Sequence, residues 1–339
     1  SSSSAASDVY KRQTQKRYDV IVIGAGAAGM MCAIEAGYRG LNVLLLDHAP
    51  KPGAKIRISG GGKCNFTNRN LEPKHFICSN PHFVKSALAR YQPEAFIERV
   101  ERHAIAYEER EKGQLFTLNG AGQLVAMLRT ELGWAGVELQ LNCSVSSVQK
   151  VSDQWQLITS NGLLQSQKLV VATGGLAYPK LRASDFGMQL AQQFGLAVIP
   201  SRPGLVPLVM PTRQQAWWSE LSGLSFEVAV AALRGPEFDG AMLITHQGFS
   251  GPSILQVSNY WFAGEPIRVN LLPQIKGVGG WLLELKQQAK PLSSGLKQYW
   301  PKRFVQAWQE KFGFDDDLSN YNQVRLDALE SQLTAWSLL

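Results

Sequence analysis

The sequence predicts an α/β chain: a Rossmann-like dinucleotide-binding domain, then a β-rich segment, then a short helical one. Three observations carry this. YDVIVIG (18–24) is an apolar run of strand length that passes through Gly-x-Gly-x-x-Gly into a small-residue helix closed by Gly40. NVLLLD (42–47) supplies a second buried strand, which completes a βαβ unit with parallel strands and a right-handed connection. From about residue 200 the texture changes to Pro- and Gly-punctuated alternating runs, and from about 277 to helical spacing.

The elements between these landmarks follow in order. Residues 50–70 are rich in Gly, Lys, Pro and Asn and read as a long loop. PHFVKSALARYQPEAFIERVERH reads as two helices parted near Pro93, and GQLVAMLRTELGWAG as a third, with Gly133 and Gly136 near its end. VELQLNCSVSSVQKV, WQLITSNG and KLVVATGG read as strands, the last two joined as a hairpin through SNG. FEVAVAAL, AMLITHQG and PIRVNLLP give a β domain, a small barrel or sandwich. Trp217 and Trp218 are adjacent, so on a strand they face opposite sides, as core or rim of that domain. GGWLLELKQQAK, SSGLKQYWPKRFVQAWQEKFG and LDALESQLTAWSLL are helical.

Composition limits the function classes. Hydrophobic residues make up 45% and charged residues 18%, enough apolar material for real cores. No apolar window approaches the length of a membrane span, and no signal-peptide order is present. Cys32, Cys64, Cys78 and Cys143 are scattered without CxxC, which points to reduced thiols in a cytoplasm and to no metal site. The net charge is +7, but Lys11, Arg12, Lys16 and Arg17 supply part of it near the N-terminus and the rest is spread thinly. Nucleic acid is therefore disfavoured as a partner. Residues 1–13 have no apolar period and read as a disordered tail; SSAASDVYKRQ also resembles a translated adaptor sequence.

The first glycine motif carries phosphate chemistry. Gly24 permits the sharp turn, Gly26 lets backbone approach a pyrophosphate, and Gly29 lets helix and strand pack closely. Ala25, Ala27 and Ala28 complete the loop, and the helix N-terminus offers free N–H groups to the phosphates. Asp47 ends the second strand, where a carboxylate can accept hydrogen bonds from both ribose hydroxyls of an adenosine. His48 and Val145 join it as candidate contacts at that end. A chain that inserts helices and a meander and then returns as KLVVATGG points to FAD rather than NAD. Ala172, Thr173, Gly174 and Gly175 would let backbone pass close to the cofactor.

The second cluster, ISGGGKCNFTN (58–68), is more than one phosphate loop needs. Gly61, Gly62, Lys63, Cys64 and Asn65, with Lys55, are read as lining the flavin end, where amides and cations stabilise the charge of a reduced ring. The bland alternative is a solvated loop. Cys64 beside Lys63 would have a lowered pKa if the two side chains met, though no second Cys lies near enough to close a disulfide.

With IIGAGAAGM-like, KPGAKIRISGGGKCNFTN, GQLF, VVATGGLAYP, ASDFG, PGLVPL and LITHQGFSGPSILQVSNYW in order, the chain resembles one bacterial flavoprotein family. It is the family of aminoacetone oxidase-like enzymes and dehydro-bile-acid reductases. The resemblance implies a FAD-binding Rossmann-like domain (14–199), an inserted β-barrel domain (200–275) and a small helical domain (276–339). It also marks departures. The family usually has Arg where Ala54 stands and often Arg at Lys63. Its closing strand, Gly-rich turn and helix have no counterpart after LTAWSLL, which implies a truncated reading frame.

The expected activity is a FAD-dependent oxidoreductase moving a hydride between flavin N5 and a small carbonyl- or enone-bearing substrate. With no second Gly-x-Gly-x-x-Gly, NAD(P)H would bind transiently as electron donor. His246, in LITHQGFSGP, is the candidate proton donor or substrate contact, with Tyr178 behind it; a structural role is the alternative for each. No nucleophile elbow or carboxylate pair favours hydrolysis. The other readings are a flavoprotein of tRNA modification and a non-functional fragment.

Overall fold

The computed structural model describes residues 17–338, the side chains of Arg213 and Gln214 excepted. The tail expected over residues 1–13 lies outside them. The chain divides at Ile199/Pro200 into two compact units.

The first unit begins with β1 (Arg17–Ile23), α1 (Ala27–Tyr38) and β2 (Val43–Leu46). α2 (Ala54–Ile58), β3 (Asn65–Asn68), α3 (Lys85–Arg90), α4 (Pro93–Arg102), β4 (Tyr107–Glu109), β5 (Gln114–Thr117) and α5 (Gly122–Trp134) follow. β6 (Glu138–Gln140), β7 (Val145–Val151), β8 (Gln154–Thr159), β9 (Gly162–Val171) and α6 (Phe186–Gln193) complete it. The main sheet runs β6-β2-β1-β9-β8-β7, parallel through β9 and antiparallel beyond. Pleating sends Val20, Val22 and Leu45 to one face, where Met30, Ile34, Leu124 and Leu128 of α1 and α5 cover them. Ile21, Ile23, Leu44 and Leu46 point to the other, against Val148, Leu157 and Leu190. Both faces are buried, so β1 and β2 read as continuous apolar runs. A three-stranded sheet, β3-β5-β4, stands apart.

Two local expectations are corrected. The long loop at 50–70 folds as α2, a 3₁₀ turn (Ser59–Gly62) and β3. Left-handed glycines make this possible, with φ of 70° at Gly53, 57° at Gly60 and 66° at Gly61. VELQLNCSVSSVQKV is two strands, not one. It breaks at residues 141–144, where Asn142 takes φ 52°. The Asn142 and Cys143 N–H groups donate to the carbonyls of Ala49 and Asp47, which anchors the break beside the end of β2.

A polar knot ties α1, α4 and α5. The buried Glu131 carboxylate accepts from Tyr38 Oη at 2.7 Å and meets His103 Nε2 at 2.9 Å, with Arg99 Nη1 at 3.6 Å. Arg99 also donates to Glu35 at 2.8 Å. Burial pushes the Glu131 carboxyl up, but the His103 and Tyr38 hydrogen bonds and the Arg99 charge outweigh it and hold the group below its ordinary value.

The second unit contains β10 (Leu208–Val209), α7 (Thr212–Glu220), β11 (Ser225–Ala231), β12 (Phe238–Ile244), β13 (Gly248–Ser250), α8 (Pro252–Val257) and β14 (Ile267–Asn270). α9 (Val278–Gln287), α10 (Leu292–Leu296), α11 (Lys302–Phe312), α12 (Gln323–Thr334) and β15 (Trp336–Leu338) follow. The sheet is a half barrel, β10-β13-β12-β11-β14-β15, and it shares one core with the helices. Trp217 and Trp218 sit on α7, not on a strand. The helix starts directly after Pro211, without a β-branched run, so the two rings lie about 100° apart on its surface rather than on opposite faces. Trp218 is buried against Phe249, ring centroids 4.5 Å apart. The helical reading of LDALESQLTAWSLL ends at Thr334, because Trp336–Leu338 add a strand to β14. Among the described residues no helix is long and apolar enough to cross a membrane.

Candidate cofactor site

The first unit's β1–α1 turn is fixed from three sides. The Gly24 N–H donates to Leu46 O at 2.7 Å, and its φ of 107° is closed to ordinary side chains. A Cβ on Gly24 would lie 2.5 Å from Ala172 O, so the strand end carrying Ala172 and Thr173 packs directly on the turn. A Cβ on Gly29 would collide with the Gly24 carbonyl. These two glycines have reasons inside the protein. Gly26 does not: its φ is −82°, and a Cβ there would meet nothing within 4 Å. The space beside it is open cleft.

Electrostatics points the same way. α1 has no side-chain cap and no acidic residue in its first turn. Its first N–H groups, of Ala27, Ala28 and Gly29, have no acceptor within the helix. Ala27 and Ala28 are exposed where the axis opens. An uncapped N-terminus with open backbone and no Cβ at Gly26 is a seat for an anion held by amides.

Asp47 is tied to this turn. Its Oδ2 accepts from the Ala25 N–H at 2.7 Å and its Oδ1 from the Ala49 N–H at 2.8 Å. A carboxylate has about four acceptor positions, so two remain for hydroxyl donors. His48, half-exposed, lies 3.8 Å from Asp47 Oδ1.

Two hollows meet here, of about 410 Å³ and about 310 Å³. Both are lined by Gly24, Asp47, His48, Thr173 and Arg182. The larger continues along Cys143, Ser144 and Val145, at the break between β6 and β7. The smaller runs past Gly26 and Ala28 to Lys55, Ala172 and Gly174. Lys55 Nζ donates to Gly175 O at 3.0 Å, so the cation stands against the turn that follows β9. An elongated group with an anionic middle, a ribose and two flat ends fits this donor and acceptor set; a dinucleotide is such a group.

The residues of the second glycine cluster are placed differently. Gly60 packs on Phe116, and Gly62 O accepts the Ala121 N–H at 2.7 Å. The Lys63 carbonyl accepts from both the backbone and the side chain of Thr117. Gly61, Gly62, Lys63, Cys64 and Asn65 thus gather around β5 and the start of α5, whereas the smaller hollow reaches Lys55 and Ile56. Lys63 Nζ lies 3.8 Å from Glu108, not on Cys64. The Cys64 thiol is buried, and burial pushes it up; a hydrogen bond with Ser59 offsets this only in part. The lowered pKa considered for Cys64 is therefore corrected.

His246 lies in the second unit, exposed in the turn from Thr245 to Gly248. Its carbonyl accepts from Ser219 Oγ. Tyr178 is exposed with φ 62°. Sequence reasoning missed Arg182, which lines both hollows, and Lys51 on the smaller one. Arg182 also takes a left-handed φ, 59°. Its signal was a second cation, after Lys180, in the irregular loop that follows ATGG. Ala54, where the resemblance expects Arg, also lines the smaller hollow, so one charge is missing from that wall.

Residues 18–280 match the family described as the HI0933-like protein Rossmann domain. The chain is 42% identical over 325 residues to the ribosomal RNA dihydrouridine synthase of Escherichia coli (strain K12), covering 95% of this chain and 81% of that one. It is 41% identical over 323 residues to the protein of the same name from Haemophilus influenzae, with 93% and 80% covered. The 3-dehydro-bile acid delta(4,6)-reductase of Clostridium scindens is 26% identical over 271 residues, with 75% and 64% covered.

Proposed function

Since the chain belongs to the HI0933-like family of FAD-binding Rossmann proteins, we propose that it is a FAD-dependent oxidoreductase that reduces uridine to dihydrouridine in ribosomal RNA. The observation behind the cofactor is Gly26, a glycine that neither its φ nor any neighbouring atom requires, at a helix start with no side-chain cap. The observation behind the substrate is the 42% identity across nearly the whole chain. The small-molecule substrate expected from the sequence, and the tRNA of the alternative reading, give way here to ribosomal RNA, a nucleic acid that the thinly spread charge had disfavoured.

The chemistry is a conjugate reduction. The uracil C5=C6 bond is conjugated to C4=O. A hydride delivered to C6 pushes the π electrons toward O4, and a proton then arrives at C5. FAD, when bound, would supply the hydride, with NAD(P)H as the source of its electrons. The chain's residues bind and orient. The amides of Ala27 and Ala28 seat the pyrophosphate, and Asp47 holds the turn and takes ribose hydroxyls. Val145 flanks the adenine end. Lys55, braced on Gly175 O, puts positive charge on the wall of the smaller hollow, where it would offset the negative charge that a reduced flavin carries. Gly61, Gly62, Lys63, Cys64 and Asn65 remain proposed ring contacts, and His246 the proposed proton donor. Such an enzyme works in the cytoplasm.

The bile-acid relative favours a second reading, a small unsaturated carbonyl compound as substrate. One experiment separates the two. Purified protein should be yellow. With NADH or NADPH and unmodified ribosomal RNA it should turn uridine into a nucleoside heavier by two hydrogens. Colourless protein that takes up no FAD overturns the cofactor assignment. Reduced flavin that is reoxidised by enones but not by RNA overturns the substrate.

A further inference from the structure

Residues 71–91 are a run of 21 positions without one buried residue. It nevertheless holds large apolar side chains: Phe83 is 74% exposed, Ile77 54% and Phe76 39%. Exposed apolar groups in a contiguous segment mark a surface that something covers.

Local hydrogen bonds, not packing, order this segment. The Glu72 N–H donates to His75 Nδ1 at 3.1 Å and the Phe76 N–H to Pro73 O at 3.2 Å. Seven residues on, the His82 N–H donates to Asn80 Oδ1 and the Phe83 N–H to Asn80 O, both at 3.0 Å. Each tied turn thus presents a His-Phe pair, 75–76 and 82–83, to solvent. An Asx turn of this kind holds a side chain in place with no core beneath it.

The charge around the rings is one-sided. Over residues 69–91, Arg69, Lys74, Lys85 and Arg90 face one acid, Glu72. Glu72 is held by Lys74 at 2.8 Å, and Arg69 is met by Glu109. Lys85 and Arg90 have no ion pair among the described residues. Exposed rings followed by unpaired cations offer stacking faces for bases and charge for phosphates, the two things an unpaired strand presents.

We propose that residues 71–91 form a single-stranded RNA platform, on which Phe76 and Phe83 stack bases flanking the target uridine while Lys85 and Arg90 meet phosphates. This rests on the ribosomal RNA reading above. A C5=C6 bond inside a stacked helix is out of reach, so the target must be splayed out and its neighbours held elsewhere.

The test uses the full chain, a fluorescein-labelled uridine-rich RNA oligonucleotide and anisotropy titrations at several salt concentrations. The double variant F76A/F83A should weaken binding on the order of tenfold or more per lost stack. K85Q/R90Q should lower the salt slope by about 1.4, at roughly 0.7 per phosphate contact. Both should keep wild-type flavin absorbance and flavin reduction by NAD(P)H. The platform is overturned if wild type binds no RNA, or if the variants bind it as wild type does. It is also overturned if F76A/F83A abolishes self-association in sedimentation while RNA affinity stays; the face then belongs to a second copy. Unchanged reduction of ribosomal RNA by both variants sinks the platform and leaves the function standing. Binding lost in the variants, with no uridine reduced by wild type, sinks the function and leaves the platform.

Discussion

Gly26→Ala is expected to separate cofactor binding from folding. Gly26 has φ −82° and ψ −172°, ordinary values for alanine, and its Cβ would meet no atom within 4 Å. The lower entropy of the unfolded chain favours the variant by about 0.4–1 kcal/mol. The poorer N-cap costs a similar amount. Net stability without cofactor should therefore move by less than about 0.5 kcal/mol. Binding is another matter. The methyl stands about 1.5 Å beyond Cα and occupies the place where a phosphate must come to reach the Ala27 and Ala28 amides. A hydrogen bond to a charged group contributes about 1.5–3 kcal/mol, so losing one weakens FAD binding by roughly 10- to 150-fold. Gly29→Ala is the control, because its Cβ collides with the Gly24 carbonyl. That variant should lose about 1–3 kcal/mol with or without cofactor. Melting of flavin-stripped protein and fluorescence titration with FAD read the two quantities. If Gly26→Ala melts as low as Gly29→Ala, or binds FAD as tightly as wild type, the reasoning is wrong.

Three further outcomes follow from the same contacts. Asp47→Ala removes the acceptor of the Ala25 and Ala49 N–H groups and should cost about 1–3 kcal/mol in the melting of flavin-free protein, with FAD retention lost; an unchanged melt refutes the anchoring role. Glu131→Gln breaks the knot with His103, Tyr38 and Arg99 and should cost about 3–5 kcal/mol by denaturant unfolding. Because Glu131 is held below its ordinary value, its contribution is complete above the unfolded carboxyl range near pH 4.3. It fades as pH falls through the lower folded value, so the variant should show a flatter acid limb than wild type. Cys78 is exposed whereas Cys64 is buried with its thiol pushed up, so iodoacetamide at neutral pH should label Cys78 first; equal rates by mass spectrometry would contradict this.

What the sequence made legible was set by local periodicity. β1 and β2 are covered on both faces, and a continuous apolar run is the signature of that condition. The hairpin β8–β9 announced itself through SNG. The misread elements depended on distant partners. Trp217 and Trp218 carry β propensity, yet on their helix Trp218 is buried against Phe249 and Trp336 while Trp217 packs on Phe312. Residues 138–151 look like one strand because nothing local reveals that Glu138–Gln140 pair with β2 while Val145–Val151 pair with β8. At the site, the turn from Gly24 to Gly29 was legible because its glycine spacing between an apolar strand and a helix is a local pattern, although Gly24 also answers to the distant Ala172. Arg182 was not, since its position on the wall depends on how a loop after β9 returns to Asp47.

The two glycine clusters carry different weights of inference, and the reason is physical. A glycine can be required by positive φ, by a close neighbour, or by something outside the chain. Gly24 needs the first two and Gly29 the second. In the other cluster Gly60 needs both: its φ is 57° and a Cβ would press to 2.7 Å of Phe116. Gly61 has open space above it, as Gly26 does, but its φ of 66° already demands glycine. Only Gly26, of these five, has neither reason. A residue whose side chain is missing with no internal cause points outward to a ligand. A residue whose backbone conformation excludes a side chain points only to its own turn. Gly26 and the bare start of α1 are therefore what call for a bound dinucleotide, whereas Gly60, Gly61 and Gly62 are accounted for by the 59–62 turn that their positive φ values build.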